Sequence, residues 1–135
     1  MRDIAVQRGY GKTLVVDSAG THAHVGARAD SRSLALATAR GYDLKAHRGR
    51  QLERADFVRF DLLLAMDEGH HRAMLVMATP EQAEKVQMFL GFARKSKIRA
   101  VPDPYYGGPA GFEEVLNLVE DGAEGLLDAL HPRLL

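Results

Sequence analysis

The chain contains no cysteine. That absence excludes disulfides, thiolate metal sites and thiol catalysis from these residues. It also lacks an excess of charge of either sign: Lys plus Arg number 18 and Asp plus Glu number 18. Nothing in that balance points to nucleic acid or an anionic membrane as a partner. No apolar run approaches the roughly 20 residues a membrane helix needs. The opening "MRDIAVQRGYGK" is too charged for a signal peptide, so a cytoplasmic location is expected. Repeats, low-complexity tracts and a domain linker are missing too, and residues 1–135 are read as a single domain long enough to bury a core.

What is present is an alternation of helical and extended patterns. Met1, Ile4 and Ala5 have helical spacing, with Gly9 or Gly11 as a stop, and read as the tail of a helix. "TLVVDSAGT" is a β-branched run ending in turn residues, which predicts a strand entering a loop at Asp17. "DSRSLALATARGYDL" predicts a helix capped by Asp30, carrying Leu34, Ala35 and Thr38 on one face and stopping at Gly41. "ERADFVRF" suggests a short helix feeding "DLLLAMD", whose uninterrupted apolar run reads as a strand buried on both faces. "EGHHRAMLVMA" is helical up to Pro80, its methionines reading as core filler. "EKVQMFLGF" is a further short strand and "ARKSKIRA" a basic connector. "GFEEVLNLVEDGAEGLLDAL" is a long amphipathic helix with Phe112, Val115, Leu116, Val119, Leu126 and Leu130 as its stripe. Alternation of this kind predicts an α/β sheet with right-handed crossovers, and ligands in such sheets sit outside the carboxyl ends of the strands. The loops after Val16, Met66 and Leu90 are therefore the expected functional face, joined by the loop around Asp103.

Three features invite a chemical reading. "GYGKT" fails as a phosphate loop, because the first glycine of that motif would fall on Val6 and the strand follows the motif instead of preceding it. The histidines show no recognisable zinc spacing. His22 and His24 share one face of an extended loop, which leaves a metal open beside plain hydrogen-bonding histidines. "VPDPYYGG" is sharper: Pro102 and Pro104 stiffen the chain around Asp103, and Tyr105 and Tyr106 offer flat walls for a planar substrate. A carboxyl group held still suits general acid–base catalysis. It suits equally a proline-stiffened turn in which Asp103 caps the following helix.

Taken in order, "VVDSAGT", "HRGRQL", "FDLLLAMD" and "VPDPYYGG" ahead of "GFEEVLNLVE" resemble the low-molecular-weight protein tyrosine phosphatases over residues 1 to about 130. Arsenate reductases of the same fold need several cysteines, which sets them apart. The resemblance implies an α/β three-layer sandwich, a small parallel sheet of four strands flanked by helices. It also implies hydrolysis of phosphotyrosine proteins or aryl phosphates through a phosphocysteine, with no cofactor and no metal. Asp103 is then the general acid that protonates the leaving phenolate, Tyr105 and Tyr106 line the substrate pocket, and Ser18 and His47 brace the phosphate-binding loop.

The family pattern opens with a strand and a C-x-x-x-x-x-R-[ST] loop, whose thiolate attacks phosphorus while the arginine and backbone N–H groups stabilise the oxygens. Neither has a counterpart in this sequence, which begins in what would be the first helix, so the chain is expected to be short at its N-terminus and to have no nucleophile of its own. It reads either as a short form of a working phosphatase or as a catalytically inactive relative serving as a binding or regulatory protein. The absent strand would lie inside the sheet, between "TLVV" and "DLLLAM". Either those two strands pair directly, or a second copy covers the gap in a homodimer, which is the arrangement expected here.

Overall fold

The computed structural model describes residues 1–22, 25–102 and 108–134. Helix α1 spans Arg2–Gln7 and buries Ile4 and Ala5. Helix α2, Ser31–Ala39, opens on Asp30, whose carboxylate accepts the Arg32 N–H. That bond satisfies one of the N–H groups a helix start leaves without an internal partner. The face expected from Leu34, Ala35 and Thr38 is rotated: Ala37 is the buried residue, Leu34 is half-buried, and Ala35 and Thr38 face out. The Thr38 hydroxyl instead donates back to the Leu34 carbonyl at 2.8 Å.

Helix α3, Asp56–Arg59, leads into strand β1, Leu63–Ala65. Helix α4, Glu68–Met77, is capped by Asp67, which accepts the His70 N–H at 2.7 Å. A 3₁₀ turn over Gln82–Lys85 then enters strand β2, Val86–Met88, and a second over Phe89–Phe92 leaves it. Helix α5, Gly108–Leu134, closes the chain. Strands β1 and β2 run parallel, pairing Leu63 with Val86 and Ala65 with Met88. The extended segment expected over "EKVQMFLGF" is thus three residues long, because past Met88 the chain turns to bury Phe89 and Leu90 elsewhere.

The sheet separates two apolar clusters, as a run buried on both faces requires. Leu63, Ala65, Val86 and Met88 join Phe57 and Met74 on one side. On the other, Leu64 packs with Ile4, Tyr10, Phe89, Leu90, Leu118, Ala123, Leu126 and Leu127. Within α5, Phe112 and Leu126 are buried as expected, whereas Val115, Leu116, Val119 and Leu130 are only partly covered. Leu118, Ala123 and Leu127 are buried in their place, because α5 also approaches the Phe89–Phe92 turn closely at Gly122 and Gly125.

One expected element is not formed. Residues 14–19 carry no strand, and Val15 is 80% exposed. A β-branched run has extended propensity but needs a neighbour's N–H and C=O groups to become a strand. Among the described residues none supplies a ladder: β1 pairs only with β2, and direct pairing of the Leu14–Val16 segment with β1 does not occur.

Candidate active site

Beyond Val16 the chain is woven onto the segment around residues 47–52. Gly20 donates to the Arg50 carbonyl at 2.8 Å and accepts the Leu52 N–H at 2.9 Å, forming a parallel bridge with Gln51. The Gln51 side chain ties down the Thr21 carbonyl at 2.7 Å. Further on, Gly26 N–H reaches the Gly49 carbonyl at 2.8 Å and Gly49 returns a bond to Ala27 at 2.7 Å. Gly26 sits at φ +82°, where a side chain is disfavoured, so the turn that sends the chain back requires glycine there.

The two stretches form the walls of an open cleft of about 460 Å³, lined by Ser18, His22, Arg28, His47 and Arg50 over a floor of small residues. Ser18 and His47, remote in sequence, are thereby brought to one site, and both are exposed to it. Val101, just before the proline-flanked acid, donates to the Met66 carbonyl at 2.8 Å, so that segment departs from the carboxyl end of β1. Asp103, Tyr105, Tyr106 and His24 lie outside the described residues. The loop after Leu90 does not join the cleft: its turn packs beneath α5, where Phe92 meets Gly125.

Arg50 staples the site together. Its guanidinium donates to Asp56 at 3.0 Å and lies 3.4 Å from Asp17, the residue before Ser18. Asp56 is 2% exposed and also accepts the Glu53 N–H at 2.8 Å. Burial by itself would push the Asp56 carboxyl up, but the Arg50 guanidinium and the Glu53 N–H outweigh it and hold it below the usual carboxylate range. The same contact holds Arg50 more firmly protonated, against the opposing effect of burial. Arg50 Nε is buried without a hydrogen-bond partner among the described residues. Sequence reading missed this staple: an arginine and an aspartate six positions apart carry no signal until the α3 turn folds them together. Among the described residues no group of three or more histidines and carboxylates is arranged to hold a metal ion.

Solved structures define the class first. The chain superposes on a protein tyrosine phosphatase from Entamoeba histolytica with a TM-score of 0.91 at 30% identity, covering 99% of this chain and 86% of that one. YfkJ from Bacillus subtilis matches with a TM-score of 0.90 at 29% identity, over 98% and 82% of the two chains. The sandwich is therefore the α/β fold of these phosphatases.

Residues 1–133 match the model of the low molecular weight phosphotyrosine protein phosphatases, and the chain belongs to that family. A Streptomyces coelicolor low molecular weight protein-tyrosine-phosphatase is 42% identical over 130 residues, 93% of this chain and 79% of the relative. A Synechocystis protein provisionally assigned to the same group is 44% identical over 130 residues, 95% and 82% of the two lengths.

Proposed function

We propose that residues 1–135 form one domain that carries the acid and supporting half of a phosphotyrosine phosphatase site. Asp103 protonates the leaving phenolate, Tyr105 and Tyr106 flank the aromatic ring, and Ser18 and His47 hold a phosphate-binding loop by hydrogen bonds. The observation that carries the reading is the convergence of Ser18 and His47 on one cleft from opposite walls. The bond that holds Val101, two positions before Asp103 in sequence, to the Met66 carbonyl beyond β1 supports it. With no cysteine in the sequence, the 135-residue chain by itself has no thiolate to attack phosphorus and is inactive by the phosphocysteine route.

Two measurements test this. The 135-residue chain should release no p-nitrophenol from p-nitrophenyl phosphate above a buffer blank; turnover abolished by Asp103→Asn would overturn the claim of inactivity. Fusing a relative's apolar strand and C-x-x-x-x-x-R-S loop ahead of Met1 should generate activity. Asp103→Asn in that fusion should lower kcat by about 10²–10⁴-fold, the usual contribution of a positioned acid. A folded but inert fusion would refute the site assignment.

A second reading concerns association. Val15 stands 80% exposed in an unpaired extended segment, and open edges of this kind recruit partners. We propose that a second copy covers it, giving a homodimer in which the chain acts as a binding or regulatory protein. A compact monomer in sedimentation at micromolar concentration would rule the dimer out.

A further inference from the structure

The rim of the cleft carries a charge arrangement that the fold does not need. Arg28 and Arg48 are directly opposed in an antiparallel bridge between the two woven stretches. Side chains so paired share one face of the ribbon, and like charges placed there repel and destabilise it. Several arginines near the packed elements are paired with carboxylates: Arg50 with Asp17 and Asp56, Arg8 with Glu124 and Asp128, Arg40 with Glu113 and Glu120. Neither Arg28 nor Arg48 has a carboxylate partner among the described residues, and neither does Lys45 nearby. The Arg48 guanidinium is held in place by the carbonyls of Lys45 at 2.8 Å and His47 at 2.7 Å, main-chain acceptors that leave its charge uncompensated. Arg28 lines the same cleft as Ser18 and His47. In a chain of zero net charge, this positive rim is a local feature and not a general excess.

We propose that Arg28 and Arg48 form a subsite for carboxylate side chains flanking the phosphotyrosine, so that this domain selects acidic phosphopeptides. The inference rests on the phosphotyrosine reading of the cleft. The repulsion that costs the free protein stability is relieved when an acidic segment lies between the two guanidiniums. Each exposed pairing adds only a few-fold in affinity and is screened by salt. Two together should give about tenfold discrimination at low ionic strength.

The test is a set of four fluorescent peptides of one length, with or without phosphate on the central tyrosine and with Glu or Gln at the flanking positions. Binding to the 135-residue chain is read by anisotropy at low and at high salt. The acidic phosphopeptide should bind about tenfold more tightly than its Gln counterpart, with the difference shrinking as salt rises. Arg28→Glu, which replaces a repelling pair by an attracting one, should abolish or reverse that preference while raising Tm by about 1–4 °C. Equal binding of Glu and Gln peptides, no binding of any peptide, or a preference that survives Arg28→Glu with Arg48→Ala would overturn the proposal. Acidic preference without dependence on phosphate would uphold the subsite, because the phosphate-binding loop is supplied only in the fusion, whose activity assay decides the phosphotyrosine reading separately. Dependence on phosphate without acidic preference would overturn the subsite alone.

Discussion

Gly125→Ala sets two physical effects of opposite sign against each other, and the structure decides between them. Gly125 lies within α5, where alanine is favoured over glycine by about 1 kcal/mol for a helix interior. By propensity alone the variant is stabilised. A methyl group at Gly125, however, would stand 1.7 Å from the Phe92 carbonyl oxygen and 2.8 Å from its carbon, where ordinary contact begins near 3.4 Å. The obstacle is main chain, which cannot rotate aside, so α5 must separate from the Phe89–Phe92 turn by about 1.5 Å or more. Overpacking typically costs about 1–3 kcal/mol and sometimes more. A backbone collision belongs at the upper end, which leaves a net loss of about 2–3 kcal/mol after the propensity gain. Against a typical total of about 5–15 kcal/mol, the effect is readily measured.

Urea unfolding followed by circular dichroism gives the number directly, and a thermal melt should fall by about 10 °C. Gly122→Ala is the internal control. Its methyl group would meet the Phe89 ring at 2.4 Å, a side chain able to tilt, so its loss should be smaller and of the same sign. A Gly125→Ala midpoint equal to or above the parent, with unchanged m-value, would refute the close approach of α5 to this turn.

Asp56→Asn keeps the shape of the buried side chain but removes the charge facing Arg50, and should cost about 1–3 kcal/mol at neutral pH. Because the folded-state pKa of Asp56 is depressed, its contribution is complete above the unfolded value near 4 and is lost as pH falls through the lower folded value. Parent and variant should therefore converge in acid; a pH-independent gap in urea midpoints would contradict the ion pair. Asp121→Ala frees the N–H groups of Arg94, Lys95 and Ser96, all of which donate to its carboxylate. Hydrogen exchange should accelerate at those amides while α4 stays protected, and unchanged exchange would show that the connector is held otherwise. Arg50→Leu should shift the resonances of Ser18 and His47 far more than Val15→Thr does, and comparable shifts from the two would count against Arg50 as the staple of the site.

Much of the architecture was legible because its causes are local. Asp30 announces a helix start through its own side-chain bond, and "DLLLAMD" announces a doubly buried strand through composition. The failures share a different cause, since each depended on a distant partner. "TLVV" has every intrinsic feature of a strand and is not one, for want of a ladder. Ala37, not Ala35, is buried because α5 lies on that side of α2, and periodicity cannot choose between adjacent stripes. At the site, Ser18 and His47 were found through motif resemblance, whereas Arg28, Arg48, Arg50 and Asp56 became visible only once the bridges at Gly20 and Arg28 fixed the register.

That register also explains how a site wall stays in place beside a segment that is not a strand. In an α/β sheet the loop after a strand usually inherits its position from the strand before it. Here residues 14–19 offer no such support, yet Ser18 is located. Its position follows from contacts on both sides: Arg2 donates to the Val16 carbonyl at 2.8 Å and pairs with Asp17, Gly20 bonds to Arg50 and Leu52, and the Arg50 guanidinium spans Asp17 and the buried Asp56. Main-chain bonds anchored by ion pairs to side chains outside Leu14–Val16 are insensitive to side-chain changes in that stretch. The cleft is therefore organised by the 47–56 segment, and the extended segment is free to acquire a neighbouring strand without rebuilding the wall that carries Ser18.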